Sequence, residues 1–356
     1  MLASKVDIPD LTQETSHLPL SGEVWDHLVQ PYQAFLQDVD KALKAQVNDF
    51  EPEVQEHASY AISNPGKRLR PLLVALAGGA EQDYDESLIN VAVIIEMVHL
   101  ATLVHDDILD AADMRRNRPT LASQVGTDVT VLLGDCLFAH ALELAATYPA
   151  TDVCRAVSQA TKRVCSGEIL QSLKPSDKLT REQYLRVIEM KTAELFGLSC
   201  QLGARYGNPF RQHDARIRSY GMALGTAYQI YDDCLDIFGT EKATGKSLGT
   251  DLVKEKQTLP ILILLENSEP DEKNQIISKL NRWDRCHTPW LMTLMTRHQV
   301  LEKSERAIRA VLDDSRACLD PLEPSPSVTA LYKLSEFLEL KVGEMALRMT
   351  SGKHAD

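Results

Sequence analysis

The chain has 356 residues, of which 44% are hydrophobic and 25% are charged, and its formal net charge is −13. This composition is typical of a folded globular protein and argues against a mainly disordered chain. The negative charge argues against a general affinity for nucleic acid or for anionic membrane surfaces, so local basic clusters would have to bind any anionic ligand. The length fits one large helical domain or two smaller domains.

The seven cysteines are scattered along the chain and form no CxxC pair. This pattern is typical of reduced thiols in a cytoplasmic protein rather than of disulfides or a zinc site. Residues 1–20 are polar, without clear periodicity, and lack the features of a secretory signal. The most apolar segment, Val91–Val104, contains Glu96 and His99 and is too short and too polar at its centre for a membrane span. We therefore expect a flexible arm over 1–20, a cytoplasmic protein and no stable membrane insertion.

Apolar residues recur at three- and four-residue spacing from end to end, and no run alternates with a period of two, so we predict an all-α fold. One long predicted helix, residues 180–207, starts with Thr180 and Gln183 in capping-box positions and stops at Gly207. Segments rich in Gly, Pro and Asp separate the predicted helices. The other predicted helices cover residues 24–46, 51–63, 86–110, 127–147, 152–173, 212–238, 258–267, 271–283, 288–318 and 327–349.

One motif, DDxxD, occurs twice. Its residues are Asp106, Asp107 and Asp110, and then Asp232, Asp233 and Asp236. Spacings of three and four place each set of carboxylates on one side of its helix, where their repulsion is unfavourable without a counter-charge. Oxygen ligands at this density favour Mg²⁺, which binds a few carboxylates together with substrate phosphates. One motif alone would more simply be a solvated helix end, but two predict a diphosphate clamped by metal ions.

Other polar residues accompany these motifs. Gln229 lies three, four and seven residues before the second set of aspartates and shares their helix face, although a polar residue at a helix boundary explains this spacing equally well. Arginine side chains in two basic clusters suit direct phosphate binding. The clusters are Lys67, Arg68 and Arg70 in GKRLRP, and Arg115, Arg116 and Arg118 in RRNRP.

Taken in order, the motifs resemble those of the trans-isoprenyl diphosphate synthases, the polyprenyl synthetase family, over residues 25–348. The matching segments are GKRLRP, EMVHLATLVHDDILDAADMRRNRPT, GD at 134–135, GEILQ, KTAELF, YQIYDDCLDIFG and TGKSLGTDL. The resemblance implies one isoprenoid synthase domain over 21–356, with ten or more helices around a central cavity, and usually a homodimer. It also implies Mg²⁺-dependent condensation of isopentenyl diphosphate with an allylic diphosphate. A terpene cyclase should carry an Asn/Ser/Glu metal motif second, and none is visible.

The resemblance also implies roles for single residues. Direct Mg²⁺ ligands would be Asp106, Asp110 and Asp232, while Asp107, Asp233 and Asp236 would bind the metal or its water. The diphosphate of isopentenyl diphosphate would meet Lys67, Arg70, His99 and Arg116, whereas Arg68 would be structural or solvated. Arg115, Lys191, Lys246 and, less directly, Lys256 would surround the allylic diphosphate. Thr192 and Gln229 would stabilise the allylic cation, and the released pyrophosphate would remove the final proton.

One segment departs from the family pattern. The family usually reads DLxEGKxTLP, whereas this chain reads DLVKEKQTLP at 251–260. Lys254 and Glu255 therefore replace a Glu-Gly pair, which leaves the local turn and the role of Lys256 open.

Product length in this family depends on residues before the first aspartate motif. Here they are Ala101 and Thr102, both small, where farnesyl-producing relatives tend to carry an aromatic residue, and no insertion separates Asp107 from Asp110. These features resemble the long-chain class, with products beyond farnesyl. A farnesyl or geranylgeranyl synthase, or a non-catalytic subunit of a two-component synthase, are the alternatives. Candidate floor residues for the growing chain are Ile94, Met97, Val98, Phe138 and Leu142.

Overall fold

The computed structural model describes residues 21–63, 66, 68–81, 83–173, 179–207, 209–239, 249–254 and 256–350, without the side chains of 21 and 348–350. The expected arm over residues 1–20 lies outside the described residues. Within them the chain is almost entirely helical, so the predicted all-α class is confirmed. The exception is a two-stranded antiparallel ribbon, β1 (Met114–Arg115) paired with β2 (Arg118–Pro119).

In chain order the helices are α1 (Ser21–Val29), α2 (Gln33–Ala45), α3 (Pro52–Ile62), α4 (Leu69–Gly78), α5 (Glu86–Leu109), α6 (Leu121–Val125), α7 (Thr127–Ala146), α8 (Asp152–Leu173), α9 (Arg181–Ile188), α10 (Glu194–Tyr206), α11 (Asp214–Phe238), α12 (Thr250–Val253), α13 (Leu259–Asn267), α14 (Pro270–Leu280), α15 (Thr288–Arg297), α16 (Val300–Ala317) and α17 (Pro326–Thr350).

Two long helices, α5 and α11, each carry one aspartate motif near the C-terminal end. α10 packs against both of them and against α4, which makes it the centre of the bundle. The packing is close: a Cβ on Gly203 of α10 would lie 2.6 Å from the Val74 carbonyl oxygen of α4. Glycine therefore permits the backbone contact that brings these helices together.

The structure differs from the sequence prediction at several helix boundaries. α4 was not predicted, because Pro71 and the basic segment before it read as a helix breaker, whereas Pro71 lies in the first turn, where it is tolerated. The predicted helix 24–46 is interrupted by a 3₁₀ turn, Gln30–Tyr32, that contains Pro31. The predicted helix 288–318 breaks at Gln299, which has φ of 52°.

Two helices, α5 and α7, are long and apolar enough to cross a membrane by length and composition. The expectation that the apolar segment is too short was wrong, because it forms part of a 24-residue helix. In α5, 67% of the apolar window is buried inside the protein, so core packing accounts for its character. In α7 only 39% of the window is buried, and Val129, Val131 and Leu132 are exposed.

Candidate active site

A cavity of about 2110 Å³ occupies the space between α5, α8, α10 and α11 and reaches α1 and α17. Its wall brings together most of the residues that the sequence analysis selected. Those that line it are Arg70, His99, Thr102, Asp106, Asp110, Arg115, Arg116, Lys191, Thr192, Gln229, Asp232, Asp233, Asp236 and Lys256. Asp107 and Ala101 are absent from the described part of this wall, and Lys67 and Lys246 lie outside the described residues.

The first aspartate motif separates into two groups at the end of α5. Asp107 is buried and accepts a 2.6 Å hydrogen bond from Arg115 Nε, which holds the β1–β2 ribbon against the helix. Asp106 and Asp110 face the cavity. Burial raises the pKa of Asp106, although Lys191 acts in the opposite direction. Asp106 therefore carries a charge that the fold itself incompletely compensates.

Asp110 has two ammonium neighbours. Its Oδ1 lies 3.0 Å from Lys254 Nζ and 3.6 Å from Lys256 Nζ. Burial alone would raise the pKa of Asp110, but the two lysines outweigh this effect and lower it. Lys256 also lies 3.7 Å from Asp251 Oδ1. Although burial lowers the pKa of Lys256, Asp251 and Asp110 raise it overall, so the ammonium form is retained.

The three carboxylates of the second aspartate motif, on α11, lie in different environments. Asp233 is buried and accepts hydrogen bonds from Tyr184 and Gln229. Asp236 accepts from the Thr250 hydroxyl and from the backbone N–H groups of Thr250 and Asp251, so it caps the start of α12. Asp232 also lies at the cavity wall. Burial, and then the neighbouring Asp251, raise the pKa of Asp233 well above its ordinary range.

A π-helical segment, Glu189–Ala193, presents Lys191 and Thr192 to the cavity. Such bulges are frequent at functional sites, and periodicity alone did not predict this one. Gly167 of α8 permits the close approach, because a Cβ there would lie 3.0 Å from the Lys191 backbone nitrogen. Lys191 pairs with Glu168 and donates a 3.1 Å hydrogen bond to Gln171 Oε1. Both partners lie in the GEILQ segment, to which the sequence analysis gave no role.

Thr192 and Gln229, for which the sequence predicts a common role, are hydrogen-bonded to each other. The Thr192 hydroxyl donates to Gln229 Oε1 at 2.8 Å, and Gln229 Nε2 donates to Asp233 Oδ1 at 2.8 Å. Tyr184 completes this chain by donating to Asp233. Sequence reasoning missed Tyr184, because a tyrosine in an amphipathic helix carries no motif signal.

A second, basic part of the cavity contains Arg70, His99 and Arg116. The Arg70 guanidinium lies 5.4 Å from the Phe196 ring centre, and its buried Nε has no hydrogen-bond partner in the described structure. Burial, followed by the charges of Arg70 and Arg116, lowers the pKa of His99 well below its ordinary range. A Cβ on Gly66 would collide with the Arg116 guanidinium, so glycine leaves room for it. The chemistry of these cationic side chains suits an anionic ligand.

Arg68 belongs to the scaffold of that cluster. It pairs with Glu96 at 2.8 Å and with Asp40 at 3.0 Å, and it also donates to the Ile62 carbonyl oxygen. Its φ of 47° places it in the left-handed region just before α4. The Arg68 side chain thus joins α2, α3 and α5. These contacts fix the position of the start of α4, which carries Arg70.

The carboxylates fit a hard divalent cation by their chemistry, since all the acidic ligands that line the cavity are oxygen donors. Among the described residues, however, no group of three His, Cys, Asp or Glu side chains is close enough to hold an ion alone. The two motifs face one cavity from different helices. This arrangement fits a cation that completes its coordination with phosphate oxygens and water.

The small residues proposed to control product length differ in position. Thr102 lines the cavity and donates a hydrogen bond to the His99 carbonyl oxygen, whereas Ala101 is fully buried. Phe138 of α7 also lines the cavity, with its ring centre 5.8 Å from that of His105. The other floor candidates, Ile94, Met97, Val98 and Leu142, pack in the core or against it and are not part of the described cavity wall.

Comparisons with known proteins show the family of this chain. The family model described as polyprenyl synthetase matches residues 51–289. The octaprenyl diphosphate synthase of Escherichia coli (strain K12) is 31% identical over 77% of this chain and 88% of its own. Component 2 of the heptaprenyl diphosphate synthase of Geobacillus stearothermophilus is 34% identical over 86% of this chain and 96% of its own.

Solved structures show the same architecture. The decaprenyl diphosphate synthase from Rhodobacter capsulatus superimposes with a TM-score of 0.82 and 30% identity, covering 89% of this chain and 99% of that chain. A polyprenyl synthase from Caulobacter crescentus CB15, solved with calcium and isoprenyl diphosphate, gives a TM-score of 0.82 at 28% identity, with 90% and 99% covered.

Proposed function

Because this chain belongs to the polyprenyl synthetase family and is a prenyltransferase, we propose that it condenses isopentenyl diphosphate with an allylic diphosphate in the trans (1′-4) sense. The product is a polyprenyl diphosphate longer than farnesyl, and pyrophosphate is released. One observation carries the proposal: both aspartate motifs and the basic cluster line one cavity that is large enough for two substrates.

Mg²⁺ ions would be held by Asp106, Asp110 and Asp232, whose carboxylates face the cavity. When bound, these ions would neutralise the negative charge of the leaving diphosphate. Asp107 and Asp233 would act indirectly, since Arg115 occupies the first and Tyr184 and Gln229 occupy the second. Asp236 would hold α12 in place beside the metal ligands.

The remaining polar residues would form two groups, each of which would bind one substrate. Arg70, His99 and Arg116, with Lys67, would bind the diphosphate of isopentenyl diphosphate. Arg115, Lys191 and Lys256, with Lys246, would bind the allylic diphosphate. Lys191 is anchored by Glu168 and Gln171, which would aim its ammonium group at the phosphate. The oxygens of Thr192 and Gln229 would stabilise the allylic cation.

Product length would be set where the cavity meets α7. Thr102 and Phe138 both line the cavity, and the small side chain of Thr102 would let the growing chain extend past the first aspartate motif. Relatives are named octaprenyl and heptaprenyl diphosphate synthases, which supports a long product over farnesyl or geranylgeranyl diphosphate.

The exposed apolar face of α7 supports assembly into a homodimer. Val129, Val131 and Leu132 project from it, and contiguous exposed apolar residues mark protein interfaces. A second copy of this chain would bury them. We place the enzyme in the cytoplasm, in keeping with seven cysteines that are all free thiols.

A second candidate is a subunit of a two-component synthase. It is favoured by the similarity to a chain named component 2 of heptaprenyl diphosphate synthase. In that case the chain would need a different partner protein for turnover, although its own cavity carries the aspartates and basic residues.

One assay separates these candidates. The purified full-length chain is mixed with Mg²⁺, labelled isopentenyl diphosphate and allylic primers of increasing length, and the products are sized by chromatography. Products longer than farnesyl from the chain alone support the proposal. Shorter products would contradict the long-chain assignment, and no product without a partner would favour the two-component candidate. A hydrocarbon formed from farnesyl diphosphate alone would indicate a cyclase.

A further inference from the structure

Lys254 joins the two aspartate motifs through α12. At the start of this helix, Asp236 of the second motif accepts hydrogen bonds from Thr250 and Asp251. At its C-terminal end, Lys254 Nζ lies 3.0 Å from Oδ1 of Asp110 in the first motif. α12 is therefore tied to α11 by a helix cap and to α5 by an ion pair.

The ion pair occupies a carboxylate that faces the cavity. Both side chains are only about one-third exposed, at 34% for Lys254 and 30% for Asp110. Lys256 approaches the same oxygen at 3.6 Å but is shared with Asp251 at 3.7 Å. Lys254 therefore makes the shorter contact with Asp110, whereas Lys256 is shared between Asp110 and Asp251. A cation that approached Asp110 would meet this ammonium group first.

The charge of the side chain at position 254 decides its effect on a cation that binds Asp110. A glutamate would add a negative charge beside Asp110, which would attract a divalent cation, whereas a lysine satisfies the carboxylate and repels the cation. The two side chains therefore have opposite effects on metal binding at the same distance.

We propose that Lys254 is a built-in cation that holds α12 against Asp110 in the metal-free enzyme and competes with the divalent ion for that carboxylate. Metal binding then releases the Lys254 end of α12, while Asp236 keeps the other end in place. This inference rests on the proposed metal role of Asp110.

The test measures metal binding without turnover. Mn²⁺ is titrated into the metal-free full-length chain together with inorganic pyrophosphate, which supplies the phosphate oxygens that complete the coordination, and electron paramagnetic resonance counts free Mn²⁺ against a protein-free Mn²⁺–pyrophosphate blank. Removal of one unit charge a few ångströms from the ion should strengthen binding by about three- to tenfold in Lys254→Met. Lys254→Glu should strengthen it further. Lys273→Met, which removes an exposed lysine on α14, is the matched control and should leave binding unchanged.

A second measurement follows α12 directly. Amide hydrogen exchange in α12 should rise when Mn²⁺ is added to the parent chain, and it should already be high in metal-free Lys254→Met. Unchanged Mn²⁺ affinity in both Lys254 variants, or exchange in α12 that does not respond to Mn²⁺ in the parent chain, would overturn the inference.

Asp110→Asn separates this inference from the proposed function. If Asp110→Asn weakens Mn²⁺ binding but the Lys254 variants do not strengthen it, only the role of Lys254 fails. If Asp110→Asn binds Mn²⁺ like the parent chain, the metal role of Asp110 fails and the inference fails with it.

Discussion

The hydroxyl of Tyr184 donates a 2.5 Å hydrogen bond to Oδ2 of Asp233, and both side chains are buried. The other oxygen of Asp233 accepts from Gln229 Nε2 at 2.8 Å. Since the carboxylate engages the nitrogen end of the amide, the oxygen end is left to face Thr192. The Tyr184–Asp233 pair therefore determines which end of Gln229 is presented to the reacting part of the cavity.

Replacement of Tyr184 by phenylalanine should disturb that orientation while leaving both diphosphate sites intact. We expect turnover to fall by up to about tenfold, with little change in KM for either substrate, because a hydrogen bond contributes roughly 0.5–1.5 kcal/mol. Steady-state kinetics would separate kcat from KM. The fraction of allylic diphosphate that is hydrolysed instead of condensed should also increase, since the cation is less well stabilised.

Tyr332→Phe is the matched control for that experiment. Tyr332 donates a hydrogen bond of the same 2.5 Å length to Asp320 but is not part of the described cavity wall. Tyr184 would have only a structural role if the two variants had equal kinetic effects, or if Tyr184→Phe changed the melting temperature alone.

The two aspartate motifs could be recognised from the sequence because helical spacing fixes which side chains share a face. The different roles of the aspartates within each motif could not be predicted from the sequence, because they depend on partners that are distant in the chain. Asp107 is engaged by Arg115 across the β1–β2 ribbon, and Asp233 by Tyr184 from α9. The π-helical segment was equally invisible, since an inserted residue leaves the apolar periodicity on either side intact.

Asp106→Asn and Asp232→Asn should each lower turnover by at least about 100-fold, because each removes a carboxylate from the proposed metal site. Burial raises the pKa of Asp106, which means that the fold disfavours its charged form. The neutral asparagine should therefore leave the melting temperature unchanged or raise it. Turnover and thermal unfolding would be measured together, with the exposed Asp271→Asn as control. Near-normal rates in either site variant would contradict the metal assignment.

A larger side chain at Thr102 should shorten the product. Because Thr102 lines the cavity, Thr102→Tyr would place a ring beside Phe138 and stop the growing chain early. Ala101→Tyr should also shorten the product. Because Ala101 is fully buried, overpacking should in addition destabilise this variant by about 1–3 kcal/mol and lower its melting temperature. Product sizing with a constant primer would detect the change. An unaltered product distribution in a folded Thr102→Tyr enzyme would show that this part of the cavity wall does not control product length.

Leu132→Glu should weaken the proposed homodimer, because Leu132 is 63% exposed on α7 and a charge would be buried at the interface. Light scattering coupled to size exclusion should show a dimer for the parent chain and a larger monomer fraction for the variant. Leu347→Glu, which changes an equally exposed leucine on α17, should leave the dimer unaffected. A parent chain that runs as a monomer at micromolar concentration would disprove the assembly.

His99 should make the metal-free protein less stable in mild acid. Burial and the charges of Arg70 and Arg116 lower the pKa of His99 in the folded state, so the fold retains the neutral imidazole. In the unfolded chain histidine takes up a proton below about pH 6.5. The unfolded state then binds more protons, and stability declines as the pH falls from 7 towards 5.

In His99→Gln this part of the decline should be missing, whereas the exposed His27→Gln should retain it. Melting temperatures across that pH range would measure the difference, and parallel curves for the parent chain and His99→Gln would show that His99 is protonated in the fold.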